Sequence, residues 1–194
     1  MILSHKYKFA YFAIPKTASE TLTSILIDEY NAEFWNGGDK HENVIPEQFY
    51  DYFCFTSIRH PYQRVLSAYQ YINRKNEIPL SLYNCRNRFH LISMTQYLNK
   101  PLIIRRWATI KDNVSDFEKE LPAGYLLPRI DQYIKVETLQ EDFNRLPFIN
   151  KTHKLEKLNS SKPKHLLEQQ TIIEFTHQFQ GDDFDLYSNP TPRH

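Results

Sequence analysis

Apolar positions along this chain fall into two repeating patterns. From Phe9 to Ile14 they run unbroken, Phe9-Ala10-Tyr11-Phe12-Ala13-Ile14, as in a strand buried on both faces. The run stops at Pro15-Lys16-Thr17. Beyond it Leu22, Ile25, Leu26 and Tyr30 keep the i, i+3, i+4, i+8 spacing of one helix face. A second apolar run, Tyr52 to Ile58, ends in Arg59-His60-Pro61. Pro61 suits a first helical position, and Val65, Ala68, Tyr69 and Ile72 mark the buried face of the helix that follows. A third strand is predicted over Gln132–Val136, with a helix from Thr138 to Leu146.

Between these units the pattern weakens. Residues 36–43 and 154–164 are polar and read as loops. Residues 74–128 are irregular, with helices expected near 88–99 and 112–121, and a last helix is expected from His165 to Phe179. Strands alternating with helices predict an α/β fold, a central parallel β-sheet flanked by helices. A chain of 194 residues is long enough for one such domain and short for two.

The first strand-to-helix turn carries candidate chemistry. A helix start aims unpaired N–H groups and a partial positive charge at one point, a ready anion site. Lys16 adds a cation there, and Thr17, Ser19 and Thr21 add hydroxyls of the kind that cap helices. The plain alternative is a structural turn with a solvated lysine. A nucleotide triphosphatase loop needs Gly-x-x-x-x-Gly-Lys-Ser/Thr, yet no glycine precedes Gly37. The second strand ends in Arg59 where a magnesium-binding Asp is expected in such enzymes. Both turns are cationic, and an anion held between them needs no metal.

Composition narrows the classes. A net charge of +1 disfavours a general nucleic-acid binder, so any anion site is local. Cys54 and Cys85 form neither a disulfide framework nor a metal spacing, and Cys54 reads as a small core residue. No segment approaches a membrane span and no signal-peptide pattern opens the chain, so a cytoplasmic setting is expected. Arg86, Arg88, His90, Arg105, Arg106 and Trp107 read either as a solvated helical layer or as a flank for an acidic or sugar-like acceptor.

Several pieces together resemble one family. Pro15-Lys16-Thr17-Ala18-Ser19 resembles the 5′-phosphosulfate loop of sulfotransferases that use 3′-phosphoadenosine 5′-phosphosulfate (PAPS). Ile58 to Tyr69, Ile-Arg-His-Pro-Tyr-Gln-Arg-Val-Leu-Ser-Ala-Tyr, is similar to their 3′-phosphate motif. Val136 to Phe143, the loop Asn159 to Lys164 and the closing Asp183 to Tyr187 resemble the carbohydrate branch, closest to the heparan 2-O- and chondroitin-type enzymes.

The resemblance implies a single P-loop-like domain over 1–194. Its PAPS-binding core would span about 6–73 and 130–187, with an acceptor-side helical insertion at about 74–128. It implies PAPS as donor, no metal, and a hydroxyl-bearing acceptor, a saccharide or glycoconjugate. Carried over by position, Lys16 contacts the 5′-phosphate and the bridging oxygen, while Thr17, Ala18, Ser19 and Thr21 supply cradle donors. Arg59 and Ser67 hold the 3′-phosphate, and Ser160, Ser161, Lys162 and Lys164 close over the nucleotide. Arg64 is a second phosphate ligand or a structural ion pair, the latter favoured. His41, in the loop before the second strand, is the expected base.

Glu20 departs from the family pattern, which has Ser or Thr there. It lies in the donor loop, where an acid is repulsive unless it points away or pairs with a cation, and it is itself a candidate base or acceptor contact. His60 stands where Asp or Asn is common. Two further readings remain at this stage, a P-loop-like kinase or nucleotide hydrolase, and an inactive nucleotide- or glycan-binding domain.

Overall fold

The structure is a computed structural model that describes residues 1–101, 121–155 and 167–192. A five-stranded sheet forms its centre. In chain order the strands and helices that build it are β1 (Ile2–Ser4), β2 (Phe9–Phe12), α1 (Ser19–Tyr30), β3 (Glu33–Phe34), and the short β4 (Ile45–Pro46). Then come β5 (Phe53–Ile58), α2 (Pro61–Asn73), α3 (Met94–Asn99), β6 (Tyr125–Leu126), β7 (Gln132–Lys135), α4 (Leu139–Asn144), α5 (Gln169–Gln180) and α6 (Asp182–Ser188). The sheet order is β3-β1-β2-β5-β7, while β4 and β6 pair separately.

β2, β5 and β7 are parallel neighbours, so their carboxyl ends share one edge of the sheet. That edge is where α/β folds place ligands. The sheet is mostly rather than wholly parallel, because β1 runs antiparallel to both β2 and β3. The apolar start Met1-Ile2-Leu3 is too short to announce a strand; pairing with β2 makes it one, and all three residues are buried.

Alternation along β2 sorts the core. Ala10 and Phe12 face a cluster with Ile45, Ile58, Met94 and Tyr97, whereas Phe9, Tyr11 and Ala13 face Leu22, Leu26, Phe55 and Phe143. Helices α1 and α4 therefore cover one face, and α3 with α6 the other. A third cluster joins Val65, Ala68 and Tyr69 of α2 to Ile172 and Phe175 of α5. Cys54 is a buried free thiol of the core, as its apolar neighbours suggest.

Several expected boundaries change. The helix near 88–99 begins only at Met94, after a 3₁₀ turn at Phe89–Leu91, with the Ser93 hydroxyl accepting from Gln96 N–H at 2.9 Å. The last helix is two: α5 ends at Gln180 and α6 starts at Asp182. The expected helix at 112–121 falls almost wholly, and the first turn of the 165–179 helix partly, outside the described residues.

Candidate active site

The turn after β2 is unusual in its backbone. Lys16 and Ala18 both adopt left-handed conformations, with φ of +68° and +64°. For residues with a Cβ this costs about 1–3 kcal/mol each and persists only where surroundings hold it. Triphosphatase loops put glycine at such points; this chain holds lysine and alanine there by fastening the turn on every side.

The fastenings are specific. Thr17 Oγ1 donates to Ile14 O at 2.8 Å and lies 2.8 Å from Ser57 Oγ, which in turn meets Tyr11 Oη at 2.7 Å. Arg64, fully buried on α2, donates to Pro15 O at 3.4 Å, Ile92 O at 2.5 Å and Gln180 Oε1 at 2.8 Å. Its guanidinium also lies 3.8 Å from Asp183, whose carboxylate accepts from Met94 and Thr95 N–H at the start of α3. Arg64 is the structural ion pair rather than a surface-directed ligand. One buried cation thus links the turn to α3, α5 and α6.

The expected hydroxyl cap is absent: Ala18 holds the N-cap position of α1 and no side chain caps it. Thr17's hydroxyl is engaged inside the protein, by Ile14 and Ser57, so it does not cap α1. Ser19 and Thr21 are buried in the first turn of α1. The first-turn N–H groups lack carbonyls four residues back, the usual source of anion affinity at a helix start.

His41 reaches the turn through its backbone neighbours. Ala13 N–H donates to Lys40 O at 3.3 Å, and His41 Nδ1 donates to Ala13 O. Asp39 Oδ1 accepts from His41 N–H at 2.7 Å, and Phe89 meets the imidazole edge-on at 5.4 Å between ring centres. With Nδ1 as donor, Nε2 is the basic nitrogen. Burial holds the imidazole neutral, lowering it to about 3, with the hydrogen bond to Ala13 opposing.

Cations gather around Lys16. Burial, reinforced by Arg59 and Arg74, lowers its ammonium to about 8. Its Nζ stands 4.1 Å from the centre of the Tyr71 ring. Glu20 pairs with the almost buried Lys40 instead of with Lys16. This answers the problem of an acid in the loop, since its charge is matched outside the turn.

At the adjacent edge, Arg59 follows β5. Its Nε is buried and has no hydrogen-bond partner among the described residues, an unmet donor suited to an anion. Burial lowers the guanidinium, with Glu137 opposing, and Glu137 itself accepts from His60 N–H at 3.0 Å. Ser67 lies half-buried on α2, four residues before Tyr71 and seven before Arg74, hence on one helix face with both. Ser160, Ser161, Lys162 and Lys164, together with Arg105, Arg106 and Trp107, lie outside the described residues.

A donor loop and a cationic second turn on neighbouring parallel strands suit a doubly anionic group. A sulfotransferase family model matches residues 1–188. The chain belongs to the sulfotransferase family. No curated protein and no solved structure matches it. The family's fold is P-loop-like, as is the strand-turn-helix architecture here, and its chemistry is sulfuryl transfer.

Three neighbours around this turn are not legible as such in the sequence: Lys40 as partner of Glu20, and Tyr71 and His90 beside Lys16. The 67, 71, 74 spacing on α2 carried a signal for Tyr71 and Arg74. His90 reads with Arg86 and Arg88 as a solvated layer or an acceptor flank, and nothing local places it beside Tyr71, whose ring lies 4.4 Å away. No described helix is long and apolar enough to cross a membrane.

Proposed function

We propose that this sulfotransferase moves the sulfuryl group of PAPS to a hydroxyl of an acceptor, a saccharide or glycoconjugate, within one domain spanning 1–194. The observation that carries the reading is that His41 is hydrogen-bonded to Ala13, three residues before Lys16 where β2 runs into the cationic turn. The unmet donor of Arg59 supports a 3′-phosphate contact, with Ser67 on the next helix.

In this reading the left-handed turn and the first N–H groups of α1 bind the 5′-phosphosulfate. Lys16 stabilises charge that develops on the oxygen bridging to sulfur as that bond breaks. His41 Nε2 accepts the acceptor hydroxyl's proton while Nδ1 stays bound to Ala13. An imidazole held at about 3 is a weak base. Lys40 and His90 contribute to that depression, and the donor's negative charges oppose it, so the base strengthens when the site fills. Cytoplasmic residence is part of the same proposal, as the setting where free PAPS and buried thiols such as Cys54 and Cys85 coexist.

The test is transfer of radiolabelled sulfate from PAPS to a panel of uncharged and acidic polysaccharides. Label on acceptor with wild-type protein and at least about a hundredfold less with Lys16→Ala supports the proposal. No transfer to any acceptor, with intact folded protein, contradicts it.

A further inference from the structure

A lysine with four rotatable side-chain bonds needs something to hold it at a reacting centre. The usual holder is a carboxylate, which would cancel the charge the donor needs. Among the described residues no carboxylate pairs with Lys16, and the nearby acid Glu20 is taken by Lys40. What touches the ammonium is an aromatic ring, 4.1 Å from Nζ to the Tyr71 centroid. The same ring carries the Arg74 guanidinium at 3.9 Å and the His90 imidazole at 4.4 Å.

We propose that Tyr71 is a positioning residue whose ring face holds the Lys16 ammonium at the turn where sulfuryl transfer takes place. A ring attracts a cation through its quadrupole while leaving its net charge intact. The N–H donors of the ammonium stay free for the bridging oxygen. Tyr71 is set by α2, one turn beyond Ser67, so the lysine and the 3′-phosphate face are referenced to the same rigid helix. Arg74 and His90 pack on this ring without neutralising Lys16: Arg74 repels the ammonium and His90 is neutral. Glu20 attracts it only from a distance while paired with Lys40, so the ring is the group in contact that favours the cation. The catalytic side of this assignment rests on the sulfotransferase reading above.

The experiment compares Tyr71→Phe and Tyr71→Leu in the full chain, after thermal melting confirms that each folds. Competitive acetylation of amines across pH, read by mass spectrometry, gives the titration of Lys16 without any need for turnover. The expected result is a Lys16 midpoint near 8 in wild type and in Tyr71→Phe. In Tyr71→Leu it falls, because the ring's preference for the charged form is gone, and kcat drops about tenfold to a hundredfold with donor KM changed much less. A Lys16 titration unmoved by Tyr71→Leu overturns the proposal, as does Tyr71→Phe behaving like Tyr71→Leu. Absence of sulfuryl transfer in wild type refutes the sulfotransferase reading instead, and the titration comparison then still decides whether Tyr71 holds Lys16.

Discussion

Glu20, in the first turn of α1, and Lys40, beside His41, form an ion pair that ties the start of α1 to the loop that carries His41. The lysine side chain is 11% exposed and the carboxylate 56%. The partners are therefore unequal: Lys40 loses more when the pair is broken. With Lys40 bound, an acid replaces the family's hydroxyl residue without leaving an uncompensated negative charge at an anion site.

Replacing Glu20 with Gln removes that negative charge and frees a cation. Calorimetry should show 3′-phosphoadenosine 5′-phosphate binding roughly twofold to tenfold tighter. Lys40→Met leaves the carboxylate unmatched and should weaken binding by a similar factor. Weaker binding by Glu20→Gln would instead make Glu20 a ligand of the nucleotide.

Lys16→Ala should lower kcat by about 10²–10³, the usual loss when one donor to a developing oxyanion is removed. Because the ammonium of the free enzyme sits at about 8, kcat/KM should be level from pH 6 to 7.5 and fall above pH 8. Lys16→Arg should remove the alkaline fall whatever activity it retains, and a pH–rate profile reads both.

His41→Ala should cut kcat by about 10²–10⁴ while nucleotide affinity stays within about threefold. Binding titration beside steady-state kinetics separates the two. Collapse of nucleotide affinity would make His41 structural or a nucleotide ligand.

Two buried neutral imidazoles set an acid limit on stability. His41 and His90 are both lowered to about 3 by burial, with Lys16 and Arg74 adding to the effect at His90. Between about 6.5 and 3 the unfolded chain binds these protons and the folded chain does not, so stability rises with pH across that window. Each imidazole costs on the order of 1 kcal/mol per pH unit as pH falls through it. Melting temperature should be level from pH 8 to 6.5 and drop below that, less steeply in a His90→Asn variant.

Arg64→Met removes the link from Pro15 to α3, α5 and α6 and strands buried acceptors. Denaturant unfolding should show a loss of about 3–5 kcal/mol. A loss below 1 kcal/mol would mean the turn is held without it.

Local signals made much of this legible. The β2 turn and the Arg59-to-Tyr69 segment are contiguous, so apolar period, Pro61 and cation placement show in one reading of the chain. The structure pairs their strands side by side. Hydroxyls crowding a helix start suggested a cap, but Thr17 is pulled inward by Ser57, a partner 40 residues away. Glu20 looked uncompensated because Lys40 lies a whole element further on. His90 joins Lys16 only because α2 and the 3₁₀ turn at Phe89–Leu91 pack together. Such pairings depend on tertiary packing, which no local period encodes.

The most direct measurement is calorimetric titration with 3′-phosphoadenosine 5′-phosphate beside AMP and ATP–Mg, repeated with Arg59→Ala. The account predicts that the 3′-phosphorylated nucleotide binds about 10–100-fold tighter than AMP, and that Arg59→Ala erases the difference. Equal binding of the three, or preference for ATP–Mg, would contradict it.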